Sequence, residues 1–113
     1  MNLEMNLSGK FFSMLENGSK DIEIRLLDEK RSHLKVGDTI IFNNSNKHIL
    51  TKVIAIHYFD SFLELLNNIP IERIGLDNSK QLALNELSSI YPEEKLKKYK
   101  IIAIEIKKGL LQN

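Results

Sequence analysis

Lys20, Glu23 and Arg25 sit in one short run, G-S-K-D-I-E-I-R, at 18–25. A flexible ammonium, a carboxylate and a planar guanidinium at this spacing can hold one another, or a polar ligand, in a fixed geometry. Glu23 and Arg25 lie two apart, so in a strand they point to the same side. Two readings are open. The trio is a surface salt bridge worth roughly 0–1 kcal/mol, or it is a polar pocket. Lys30 and Arg31 follow in the polar stretch D-E-K-R-S-H-L-K at 28–35. That stretch is either a solvated loop or a lip that offers two cations to phosphates. His57 ends a β-branched run just before a helix start, where side chains often line a cleft.

Other chemistries find no support. The chain has no cysteine, which removes disulfides, thiolate metal sites and cysteine nucleophiles together. His33, His48 and His57 have no paired metal-ligand spacing. Neither phosphate-cradling glycine motif occurs, nor a G-x-S-x-G elbow. We expect no metal and no cofactor.

Stepping outward, the pattern predicts the elements that carry these residues. Met1, Leu3, Met5 and Leu7 alternate with polar residues, a strand over 1–7. Ser8 suits a helix N-cap, Phe11, Met14 and Leu15 recur at helical spacing, and Gly18 closes the helix. Ile22, Ile24 and Leu26 alternate with Asp21, Glu23 and Arg25, so 20–27 reads as a half-buried strand. Asn43 to Lys47 is turn chemistry, joining strands 39–42 and 48–58 in a hairpin. Ser61 and Glu64 have capping-box spacing ahead of a helix with Phe62, Leu65 and Leu66 on its buried stripe, broken at Asn67–Pro70. Asp77, Asn78 or Ser79 caps a second helix marked by Leu82, Ala83, Leu87 and Ile90. Pro92, Glu93 and Glu94 with Lys97 and Lys98 form a short helical turn. Ile102, Ile104 and Ile106 mark a closing strand, and 109–113 is a frayed tail. The sum is an α+β, antiparallel-rich single domain over 1–108. It is a small barrel-like sheet with about three helices at its side or mouth.

Composition narrows the setting. The chain's 113 residues, 42% of them hydrophobic, fit one packed domain. Sixteen Lys and Arg against fifteen Asp and Glu create no overall nucleic-acid field. The end is locally basic, with Lys95, Lys97, Lys98, Lys100, Lys107 and Lys108 against Glu93, Glu94 and Glu105. No apolar run is long enough to span a bilayer, and the N-terminus with Glu4 is unlike a signal peptide. We expect a cytoplasmic monomer or small homo-oligomer with no membrane partner.

The run G-x-K-x-x-E-x-R (Gly18, Lys20, Glu23, Arg25), then D-E-K-R (28–31), then V-G-D-x-I-x-F (Val36, Gly37, Asp38, Ile40, Phe42) resembles the ASCH domain family, small stand-alone relatives of the PUA fold. Agreement continues through His57 to Phe62 and from Tyr91 to Ile106. The resemblance implies a PUA-like, mostly antiparallel β-barrel. Its cleft would lie between barrel and helices, lined at the positions of Lys20, Glu23 and Arg25. It also implies RNA binding, through relation to PUA domains. A small bacterial subgroup deacylates N4-acetylcytidine. That subgroup has a lysine at the Lys20 position, a threonine where this chain has Glu23, and a helical glutamate for which Glu72 and Glu86 are candidates here. A carboxylate does not replace the threonine hydroxyl as nucleophile in the same way.

The expected function is recognition of RNA, or a nucleoside or nucleotide, in a cleft bearing Lys20, Glu23 and Arg25. Lys20 and Arg25 would meet phosphate or carbonyl oxygens. Glu23 would accept from an exocyclic amine or orient Arg25. Lys30, Arg31 and the Lys95–Lys100 cluster would add backbone contacts. Tyr91 or Tyr99 would stack on a base or pack at the rim. His57 is a further lining candidate. The alternatives are an amidohydrolase of N4-acylated cytidine, with Lys20 and Glu23 catalytic, and a protein-interaction module without ligand.

Overall fold

Alternation builds the first strand. Leu3 and Met5 are buried and their neighbours exposed in β1 (Asn2–Asn6). The computed structural model describes residues 2–76 and 79–109. Met1, the cap candidates Asp77 and Asn78, and tail residues 110–113 lie outside them. Helix α1 (Gly9–Asn17) buries Phe12 and Leu15 and ends at Gly18, whose φ of 87° is the left-handed cap expected of glycine. Ser8 stands at its N-cap without a side-chain bond. Strand β2 (Ile22–Leu26) leads to a 3-10 turn at Glu29–Arg31, so the polar stretch is partly ordered: Asp28 accepts from the Arg31 N–H.

β3 (Thr39–Asn44) and β4 (Lys47–Phe59) form the expected hairpin through Ser45 and Asn46. At the start of α2 (Phe62–Asn68) Ser61 accepts from the Glu64 N–H at 3.1 Å. The Glu64 carboxylate reaches the N–H of Asp60, one residue outside the box, at 2.8 Å. Next come α3 (Ile71–Ile74), α4 (Lys80–Ile90), capped by Ser79, α5 (Glu93–Lys98) and β5 (Ile101–Lys108). Five α-helices stand among the described residues where about three were expected. Two exceed that number: α5, read from sequence as a short helical turn, and α3, which is too short for periodicity to reveal.

The sheet runs β1-β3-β4-β5-β2. Only β1 and β3 are parallel; the other pairs are antiparallel. The α+β, mostly antiparallel architecture expected is therefore present, with the sheet curled into a half-barrel whose end strands are β1 and β2. Two cores lie on its two faces. Leu3, Met5, Phe12, Phe42, Val53 and Ile104 share the concave core, with α1 as its plug. Ile22, Ile24, Leu26, Leu65, Leu87 and Ala103 share the other, beneath α2 and α4. β5 is therefore buried on both faces, and β2 is more than half-buried: even Glu23 is only 6% exposed.

Candidate functional site

Lys20 is the hub. Its side chain is 2% exposed. Nζ donates to Ile22 O and to Ile74 O (2.8 Å) and lies 2.9 Å from Glu23 Oε1. It also sits 5.5 Å from the Phe11 ring centroid. An ammonium has three donors and no acceptor, and these three oxygens use them all.

Glu23 bridges to the next cation. Its Oε2 accepts from Arg25 Nε at 2.6 Å. Burial pushes the Glu23 carboxyl upward, but Lys20 and Arg25 outweigh it and hold the group below the usual carboxylate range. A surface ion pair is therefore the wrong description: the carboxylate is buried and held ionised between two cations. Arg25 continues the chain, its Nη2 donating to Asn6 O at 2.7 Å.

Helix α3 completes the hub. Gly75, at φ 88°, ends it and aims the Ile74 carbonyl at Lys20. A Cβ at Gly75 would come within 2.8 Å of Met14 Sδ and 3.4 Å of Lys20 Cδ. Backbone sign and space both require glycine there. Sequence reading missed this contributor; the glycine closing I-E-R-I was the available signal.

A cleft of about 710 Å³ opens beside these groups, along the outer side of β2 and under α4 and α5. Lys20, Glu23, Arg25, Arg31 and Tyr91, all singled out from sequence, line it together. Tyr91 donates its hydroxyl to Ile24 O at 2.9 Å and packs on Phe62 with ring centroids 5.7 Å apart. Burial, helped by the nearby Glu23 charge, pushes its phenol up to about 12. Tyr91 is thus anchored in the wall. Arg31 Nη1 reaches Asp28 Oδ2 at 2.7 Å, while its buried Nε has no partner among the described residues. Lys30 is exposed and outside the lining.

His57 also lies outside. The β4–β5 register skips between Val53 and Ala55, leaving Ile54 as an extra residue. A bulge reverses which side of the sheet later residues face. His57 consequently meets Glu105 through Nε2 at 2.5 Å, beside a shallow depression shared with Asn68 and Ile69. Arg73 of α3 joins Glu105 (3.0 Å) to Asp21 (2.8 Å). Hydrogen bonds with His57 and then Arg73 hold the Glu105 carboxyl low, and those with Asp21 and Glu105 hold Arg73 high. Of the helical glutamates, Glu72 is exposed and Glu86 pairs with Lys10 at 3.8 Å; neither lines the cleft.

Among the described residues no group of three or more His, Asp or Glu is arranged to hold a metal ion, and no helix is long and apolar enough to cross a membrane. The ASCH domain family model matches residues 5–109. Two solved structures are similar across most of the chain. One, the crystal structure of hypothetical protein PH0355, is 36% identical with a TM-score of 0.87, over 96% of this chain and 100% of that one. The other, the solution NMR structure of protein PF0455 from Pyrococcus furiosus, is 36% identical with a TM-score of 0.76, over 96% of this chain and 97% of that one. No curated protein matches the chain. The chain belongs to the ASCH domain family.

Proposed function

We propose that this ASCH domain acts in the cytoplasm by binding RNA, or a nucleotide-like ligand, in the cleft along β2. The observation that carries the reading is a buried, ionised Glu23 held between Lys20 and Arg25 at the wall of a cavity of about 710 Å³. A volume on that scale suits a nucleoside-sized ligand. Two arginines and an acceptor carboxylate beside an apolar wall match a ligand that is part ring, part polar edge. Lys30 and Lys95, exposed near the rim, would extend the contact along a phosphate backbone.

Binding is favoured over hydrolysis by the state of Lys20. A general base needs a free lone pair on its nitrogen. Each hydrogen of Lys20 Nζ already has an oxygen partner, so removing one would break a buried contact. Lys20 is a positioning group for Glu23. A gel shift with mixed RNA at low and moderate salt tests the proposal. A folded protein that shifts no RNA at either salt would refute it.

A further inference from the structure

β2 is an edge strand, and Ile24 and Leu26 line the cleft although their side chains are buried. The ladder register fixes where their main-chain groups point. The Ile106 N–H donates to Asp21 O and the Leu27 N–H to Lys100 O, at 3.0 and 2.8 Å. The antiparallel register places Glu23 opposite Ile104 and Arg25 opposite Ile102. Bonded and non-bonded pairs alternate in such a ladder. Residues 21, 23, 25 and 27 therefore bond β5. The N–H and C=O groups of Ile22, Ile24 and Leu26 point outward, along the cleft.

Two of those outward carbonyls are already capped. Lys20 Nζ donates to Ile22 O and the Tyr91 hydroxyl to Ile24 O. The outward N–H groups of Ile24 and Leu26 have no partner among the described residues. An ordinary sheet edge alternates donors with acceptors and templates another strand. With these carbonyls capped, the stretch from Ile22 to Leu26 mainly offers donors.

Guanidinium groups add to the donor set. Arg25 uses Nε and Nη2 within the protein, which leaves Nη1. Arg31 uses Nη1 on Asp28, which leaves Nη2 and the unpartnered Nε. Arg25 and Arg31 both lie close enough to the Tyr91 hydroxyl to act on its ionisation. The carboxylates nearby are engaged: Glu23 by Lys20 and Arg25, Asp28 by Arg31, and Glu29 by the Tyr99 hydroxyl at 3.2 Å. They orient the donors.

We propose that the outward N–H groups of Ile24 and Leu26, with Arg25 and Arg31, form a phosphate subsite inside the cleft. Resting on the RNA-binding reading, it assigns the phosphate, as a phosphodiester or a terminal phosphate, to the edge of β2. The base is left to Glu23 and the apolar wall. Main-chain donors bind phosphate oxygens without sequence preference.

The test is an amide NMR titration of the labelled protein with inorganic phosphate, a nucleoside, a nucleoside 5′-monophosphate, and an RNA tetranucleotide lacking terminal phosphates. Phosphate and at least one nucleotide should move the Ile24 and Leu26 amides, and the tetranucleotide moving them would mark the phosphodiester as the natural group. Arg31→Gln should weaken phosphate binding about tenfold, the scale of one charge-assisted hydrogen bond. Its fold is read from the same spectra, and Arg25→Gln serves as the second variant. The subsite is wrong if saturating phosphate and both nucleotides leave these amides unmoved. It is equally wrong if the nucleoside alone moves them as far, or if both variants bind phosphate like the parent. RNA that binds while perturbing only other amides would sink the subsite and spare RNA binding; phosphate that moves both amides while RNA fails to bind would do the reverse.

Discussion

Arg25 and Asn6 tie together the two ends of an open sheet. Arg25 Nη2 donates to the Asn6 carbonyl at 2.7 Å. Asn6 ends β1 and Arg25 lies in β2, the first and last strands of the order β1-β3-β4-β5-β2. One side chain spans an opening that main-chain pairing leaves unclosed. The same guanidinium holds Glu23 and borders the cleft, so closure and site share one group.

Arg25→Ala should therefore cost about 1.5–3 kcal/mol, the range for hydrogen bonds to charged groups. Arg25→Lys should recover only part of this, because an ammonium cannot reproduce the guanidinium fork. Urea denaturation measures both. A change within about 0.5 kcal/mol for Arg25→Ala, typical of exposed sites, would show the tie to be incidental.

Lys20→Met strands a buried carboxylate at Glu23. Breaking one side of a buried ion pair destabilises by about 3–5 kcal/mol. Adding Glu23→Gln should restore part of the loss, because the neutral amide no longer needs the cation. A double-mutant cycle should give a coupling of about 0.5–3 kcal/mol, as for contacting residues. Additive effects would mean that the two side chains act independently.

Much of this was legible in the sequence. Strict alternation in 22–26 marked β2, Gly18 marked the preceding helix stop, and K-x-x-E-x-R marked the three charged residues that the fold brings together at the cleft. The burial of Lys20 was not legible, because Ile74 of α3 and Phe11 of α1 close over its ammonium, and the Ile74 contact is distant in sequence. The placement of His57 failed for a local reason. Ile49, Thr51 and Val53 keep a clean period of two, and the bulge at Ile54 then shifts it without any glycine or proline to announce the change. Nor could periodicity separate the outward main chain of Ile24 from its inward side chain, since strand pairing decides the former.

Acid should reveal the two carboxylates held below their ordinary range. Burial would raise the Glu23 value, but Lys20 and Arg25 take it below the ordinary one, and hydrogen bonds with His57 and Arg73 do the same for Glu105. The unfolded chain then binds more protons than the folded one as pH falls. The stability they contribute is complete above the unfolded carboxyl value, about 4.3, and is lost as pH drops through the lower folded values. Denaturation midpoints should fall steeply below that pH, and less steeply in Glu23→Gln. Identical acid slopes for the variant and the parent would contradict the assignment.

Alkali tests the opposite wall. The Tyr91 phenol, pushed up to about 12 chiefly by burial, keeps its proton longer in the folded state than in the unfolded one. Its contribution is present below about pH 10, the unfolded value, and is lost as pH rises through the folded one. Phenolate absorbance should show one tyrosine titrating near 12, and Tyr91→Phe should remove that step. Its persistence in Tyr91→Phe would place the late step on another tyrosine.

Ultraviolet cross-linking of mixed RNA followed by peptide mass spectrometry tests most directly the proposal that ligand binds in the cleft along β2. Adducts are expected at cleft and rim residues, with Tyr91, Tyr99 and Arg31 foremost. Adducts centred on His57 and Tyr58 at the other depression, or none from a folded protein in excess RNA, would contradict it.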